Sequence, residues 1–202
     1  MFYDPRQPDH GLPHDPFLAL VAPRPIGWIS TRSAAGIANL SPYSFFNAFS
    51  TRPHVVGFSS TGRKDSVRNA EETGVFIVNI ATFDLKDAMN ASSVTVAPEV
   101  DEFPIAGLTA VPGTAVDAPR VGEALAALEC RTTAVVPITG LAGGAPGAFL
   151  VLGEVVGVHL DERILTDGRV DTAKLRPLAR LGYMDYAVVD TVFDMARPKP
   201  PA

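Results

Sequence analysis

The chain has 202 residues, 47% hydrophobic and 19% charged, with a formal net charge of −5, a balance that suits one compact domain and excludes a disordered or fibrous chain. The acidic balance argues against nucleic acid as a main partner, and a lone cysteine, Cys130, rules out a disulfide framework or a multi-thiolate metal site within one chain. No window approaches the roughly 18 uninterrupted apolar residues of a membrane helix, and the start, MFYDPR, lacks the basic-then-apolar pattern of a secretion signal, so a cytoplasmic protein away from membranes is expected.

In chain order, residues 1–25 hold six prolines, too many for helix or central strand, and predict an extended N-terminal arm. IGWISTR (26–32) is rich in strand formers, and Ala34-Ala35-Gly36 predicts a turn into a second strand. YSFFNAFS (43–50) and HVVGFS (54–59) read as two strands joined through Thr51-Arg52-Pro53. The segment from Asp65 to Gly74 predicts a short helix with an Asp or Ser cap and a terminal glycine. VFIVNI (75–80) is an apolar strand, and TFDLKDAMN (82–90) is helical by its apolar spacing, with Thr82 as cap.

Residues 97–119 hold four prolines and little periodicity and predict a long ordered excursion of the kind that lines sites. Two long strands follow, up to Pro137 and from Ala148 to Leu160, around a glycine-rich turn (140–147). A brief helix over 172–178 and a last strand over 186–192 precede a C-terminal tail, 194–202. Short strands joined by hairpin-sized turns predict a mainly β domain, an antiparallel barrel rather than a doubly wound sheet.

Charge is uneven along the chain. Residues 1–70 carry seven Lys or Arg against four acids, and the remainder ten against eighteen. An anionic ligand would be drawn to the first third, unless the asymmetry is an incidental feature of the surface.

Ser59-Ser60-Thr61-Gly62-Arg63-Lys64-Asp65-Ser66 places hydroxyls, a flexible glycine and two cations at a strand-to-helix junction. Unpaired first-turn amides, close backbone approach at Gly62, an Arg63 fork and the Lys64 point charge all favour a phosphate, with Asp65 as cap. The same residues also make an ordinary solvated loop before a capped helix. No GxGxxG follows a strand, residues 140–147 lack the ending of a P-loop, and the four histidines, at 10, 14, 54 and 159, give no metal cluster.

The succession PRPIGWIST (23–31), NLSPYSFFNAFSTRP (39–53), RKDSVRNAEETGVFIVN (63–79) and RLGYMDY (180–186) resembles the flavin reductase-like family, in the branch of reductase components of two-component monooxygenases. The resemblance implies an antiparallel Greek-key split β-barrel in one domain, 1–202, binding FMN non-covalently near a homodimer interface, with NADH or NADPH as co-substrate and a monooxygenase as possible partner. By position, Ser44, Phe45 and Asn47 would lie along the flavin ring and ribityl chain, and Ser59, Ser60, Arg63, Lys64, Asp65 and Ser66 would surround the phosphate. Trp28, Ser30 and Thr31 are further candidates beside the ring, although Trp28 and Phe46 equally suit the barrel core and Asn79 a buried backbone partner. His159, Arg180 and Tyr183 would mark the nicotinamide or substrate face. Three activities are consistent with this pattern: an NAD(P)H-dependent flavin reductase, an FMN-sequestering module without nicotinamide turnover, and a flavin-dependent oxidoreductase acting on its own organic substrate.

Overall fold

The structure, a computed structural model, describes residues 1–7 and 11–198. Residues 8–10 of the predicted arm and 199–202 of the predicted tail lie outside the described residues. The arm is not wholly extended: Phe17–Leu20 makes one helical turn (α1), and Arg24–Pro25 forms a short strand (β1).

The first hairpin forms as expected, from β2 (Gly27–Arg32) and β3 (Ala38–Tyr43). The predicted single strand over 43–50 is instead broken, because β3 ends at Tyr43 and β4 (Phe46–Thr51) begins only after Ser44 and Phe45. β5 (His54–Thr61) pairs back on β4. Helix α2 (Asp65–Thr73) ends on Gly74 at φ 72°, a left-handed position that glycine takes without steric cost.

Strand β6 (Val75–Ile80) leads into a 3-10 turn at Phe83–Leu85 and then α3 (Lys86–Ala91), where Thr82 makes no side-chain cap. The excursion is ordered, holding α4 (Glu102–Ile105) and the pair β7 (Ala110–Pro112) and β8 (Pro119–Val121). The long strands are β9 (Ala126–Ile138) and β10 (Ala148–Leu160). Two short strands, β11 (Leu165–Thr166) and β12 (Arg169–Val170), and the turn α5 (Thr172–Leu175) precede β13 (Leu178–Arg180) and β14 (Tyr186–Val188).

Seven strands form one antiparallel sheet in the order β3-β2-β6-β9-β10-β5-β4. Its two edge strands, β3 and β4, follow one another in the chain with only Ser44 and Phe45 between them. Three peptide steps span at most about 11 Å, so the sheet must curl until its edges meet. The Tyr43 and Phe58 rings, 4.8 Å apart, pack across that seam. The barrel is therefore closed by chain connectivity where hydrogen bonding stops, which is the split barrel.

Inside the curl, Ile29, Phe58, Val67, Phe76, Val78 and Val151 form one buried cluster, and Ile26, Trp28, Leu40, Met89, Phe103 and Leu178 form another on the far side of β2. Alternation along β2 explains the division, since neighbouring side chains face opposite sides of a sheet.

Candidate functional site

The seam and the strand-to-helix junction are one place. At the corner, the Phe45 carbonyl accepts the Ser59 amide at 2.8 Å, which draws the SPYSFFN segment against the end of β5. Ser44 is half-buried, Phe45 is 43% exposed and Asn47 is exposed, its Oδ1 accepting the Ala48 amide. Beyond Ser59, β5 carries Ser60 and Thr61, and Gly62 at φ 76° turns the chain into α2.

At the start of α2 the cap position falls on Lys64, which makes no side-chain cap. The expected Asp65 cap is not made: Asp65 is the first helical residue and its carboxylate takes Arg68 one turn on. The amides of Asp65 and Ser66 have no carbonyl within the helix to reach. Lys64 enters no ion pair among the described residues, whereas Arg63 pairs with Glu71 and lies over the Phe149 ring at 5.5 Å.

Ser60 is 1% exposed, and its hydroxyl is buried without a partner in hydrogen-bond geometry. A buried polar atom left unsatisfied is unusual in native proteins and calls for a ligand or water. Burial pushes the nearby Tyr43 phenol up, an effect partly countered by the hydroxyls of Ser66, Ser60 and Ser41 around it. An orphaned hydroxyl, an uncommitted lysine and free helix-start amides fit the phosphate end of a flavin nucleotide.

Next to them is a cavity of about 180 Å³ lined by Asn39, Tyr43, Lys64, Ser66, Thr95 and Glu102 among others. Ser66 does not point a free donor into it, because its hydroxyl donates to Asn39 Oδ1 at 2.8 Å. Asn39 in turn donates to both oxygens of Glu102, at 3.0 and 3.1 Å, and the Leu40 amide donates to the same carboxylate. Burial nevertheless raises the Glu102 carboxyl above its ordinary value, so this wall repels an anion less than a solvated glutamate would. Asn39 and Glu102 were not singled out from the sequence. Asn39 stands inside the NLSPYS block, and Glu102 lies within the 97–119 excursion expected to line a site.

The remaining candidates sit elsewhere. Trp28, Ser30 and Thr31 have zero exposure. Trp28 donates its indole N–H to Ser92, Ser30 donates to the Pro119 carbonyl, and Thr31 joins Asn69 to Asn39. Asn79 is a satisfied core partner, donating to the Trp28 carbonyl and Ser30 and accepting the Val121 amide.

His159 is bound to Glu129 on β9. It lies eleven residues along β10 from Ala148, which pairs with Thr61 at the junction, a path of about 36 Å at the usual strand rise. Arg180 stacks on Tyr186 and donates to the Tyr183 carbonyl. Its strand lies beside β1, where Arg24 ties the Leu18, Val21 and Leu181 carbonyls together 6.0 Å from the Phe45 ring. The RLGYMDY block thus approaches the corner, whereas His159 does not.

Comparison with known proteins places these elements in a family context. Residues 20–185 match the model of the flavin reductase like domain. An uncharacterized protein of Halalkalibacterium halodurans is 37% identical over 90% of this chain and 88% of its own length. Nitrilotriacetate monooxygenase component B from Bacillus cereus superposes with a TM-score of 0.88 at 28% identity, covering 96% of this chain and 98% of that one. Flavoredoxin of Desulfovibrio vulgaris (Miyazaki F), at 23% identity and a TM-score of 0.79 over 94% and 97% of the two chains, shares the fold.

Proposed function

The chain belongs to the flavin reductase-like family, and from that premise we propose that it is an NAD(P)H-dependent FMN reductase whose cofactor phosphate is held at the β5–α2 junction. The observation that carries the FMN reading is the buried Ser60 hydroxyl without a hydrogen-bond partner, four residues before Lys64, which makes no side-chain cap and enters no ion pair among the described residues. Lys64, the Asp65 and Ser66 amides and Ser60 hold the phosphate end, with Arg63 recruited from its exposed pair with Glu71. Surface pairs of that kind contribute about 0–1 kcal/mol, so a phosphate competes well for the guanidinium. The Ser44–Asn47 backbone and the Phe45 face border the ring. FMN held there would supply the redox chemistry as an acceptor of hydride from a nicotinamide, so that no side-chain nucleophile is required. The similarity to a monooxygenase component supports delivery of the reduced flavin to a partner oxygenase.

The test is anaerobic mixing of the FMN-loaded protein with NADH and, separately, NADPH. Rapid bleaching of the flavin absorbance supports the reductase. A protein that binds no FMN on titration overturns the reading altogether. FMN binding without bleaching by either nucleotide would favour the second reading, an FMN-binding module without nicotinamide turnover. That alternative is supported by His159, which is committed to Glu129 far along β10.

The proposal includes a homodimer. On the outer face of β10, Val156, Val158 and Leu160 are 41%, 58% and 49% exposed, and Phe49 on β4 is 55% exposed. A cavity of about 470 Å³ among Ala48, Val55, Val156 and Val158 adjoins them. A contiguous apolar strip on a sheet face is where a soluble protein meets a partner, and a second copy is the partner proposed. Val158→Glu is expected to halve the mass in analytical ultracentrifugation, and an unchanged dimer would refute this surface. Among the described residues no helix is long and apolar enough to cross a membrane, which is compatible with the proposed cytoplasmic setting.

A further inference from the structure

Among the described residues, three arginines have a buried Nε without a hydrogen-bond partner: Arg24, Arg32 and Arg120. Arg24 spends its other nitrogens on three carbonyls, and Arg32 reaches the Gly36 carbonyl and Asp117. Arg120 alone of the three has no hydrogen bond or ion pair for any part of its guanidinium among the described residues. Its side chain leaves β8 into a cavity of about 270 Å³ shared with Gly122, Ala124, Leu125, His159, Leu160 and Asp161.

The charged groups around that cavity are already apportioned, except on its positive side. Asp161 is held by the Nε, Nη2 and backbone N–H of Arg163. Glu123 accepts the Thr109 amide. Glu129, fully buried, accepts the Thr114, Ala115 and Val116 amides as well as His159 Nε2. These bonds, outweighing burial, hold Glu129 below its ordinary range. It is therefore an ionised acceptor, and His159 must place its proton on Nε2 to meet it. Nδ1 is left as the ring nitrogen without a partner, an acceptor in the neutral ring and a donor in the imidazolium.

We propose that Arg120 and His159 form a second, oxyanion-binding site, separate from the flavin junction and specific for a small carboxylate or phosphate. A guanidinium fork grips two oxygens of such a group, and His159 Nδ1, protonated, takes another. A cation is repelled by Arg120. The volume admits a small organic acid as well as inorganic phosphate.

The test follows the His159 ring resonances by NMR, assigned through His159→Gln, while inorganic phosphate or acetate is added at constant ionic strength. A saturable shift is expected, and the relative affinities of the two ions identify which source of oxyanion the site prefers. Arg120→Gln is expected to weaken the effect at least about tenfold, and Arg120→Lys to retain part of it, with circular dichroism confirming that both variants are folded. Lys64→Ala, which alters only the flavin junction, leaves the shift intact. A shift that never saturates with either ion, that survives Arg120→Gln, or that disappears in Lys64→Ala overturns the site. None of these readouts depends on flavin or nicotinamide, so the result stands apart from that of the proposed reductase activity.

Discussion

The amide of Ser59 donates to the carbonyl of Phe45 at 2.8 Å, and through that one bond the corner that closes the barrel is fixed to the strand that leads into the proposed anion cradle. The ring-binding and phosphate-binding halves of the proposed FMN site therefore move as one body. Neither half has to be assembled when the ligand arrives, which lowers the cost of binding.

Lys64 and Arg63 should not contribute equally. Lys64 enters no ion pair among the described residues, whereas Arg63 has to leave Glu71 and Phe149. Lys64→Ala is expected to weaken FMN by about 1.5–3 kcal/mol, the value of a charge-assisted hydrogen bond, and Arg63→Ala by less. Riboflavin, which has no phosphate, should be nearly indifferent to both changes. Equal losses for FMN and riboflavin in fluorescence titrations would remove the phosphate from this junction.

Ser60→Ala separates a ligand-binding hydroxyl from a structural one. In the protein without flavin the hydroxyl is a buried group lacking a partner, so its removal should leave the melting temperature unchanged or slightly raised. With FMN present, the loss should be about 1 kcal/mol of binding, the net worth of a typical hydrogen bond. A variant destabilised without flavin but unimpaired in FMN affinity would show that Ser60 serves the barrel and not the cofactor.

The strands and the α2 helix were legible because each rests on local chemistry, apolar alternation and Gly74 after a helical run, and the proposed cradle was nominated in the same way, from serines and cations at a junction. The break at Ser44–Phe45 was not legible, since SFF has strand propensity throughout and only closure of the barrel forces the corner. Asp65 looked like a cap by residue type, yet the cap position falls on Lys64, which makes Asp65 the first helical residue and leaves it to pair with Arg68. Glu102 and Glu129 were invisible as site or anchor residues because their partners, Asn39 and the 114–116 amides, lie 63 and 13–15 positions away.

Those two buried carboxylates should respond to pH with opposite sign. Burial raises Glu129, but His159 and three amides outweigh it and bring the group below its ordinary value of 4.5. Its contribution to stability is therefore complete above about pH 4.5 and is lost as pH falls through the folded value. Glu102 is raised by burial, with the Leu40 amide, its own amide and Asn39 only partly offsetting this. Its contribution is complete below its ordinary value of 4.5 and is lost as pH rises through the folded one. Glu129→Gln, which sets an amide N–H against backbone donors, should cost about 3 kcal/mol at pH 7 and flatten the acid limb in urea unfolding. Glu102→Gln should cost much less at pH 7. If the two variants shift the profile in the same direction, the assignment of these environments is wrong.

Gly153 tests the packing of the barrel itself. It lies at a register irregularity of β10, and a Cβ there would stand 2.5 Å from Phe76 Cε1, 2.6 Å from Cζ and 3.1 Å from the Cβ of Cys130. Phe76 has little room to yield, being fully buried with its edge against Phe58 at 5.4 Å. Gly153→Ala should therefore lower stability by about 1–3 kcal/mol, the usual cost of overpacking, with an unchanged denaturant slope. The obstacle is a side chain, so Phe76→Leu should relieve it: the alanine should cost less in that background than in the parent, giving a coupling energy between the two positions. If the cost were the same in both backgrounds, the irregular backbone of β10 would be what forbids a side chain there, and the ring would be only its neighbour.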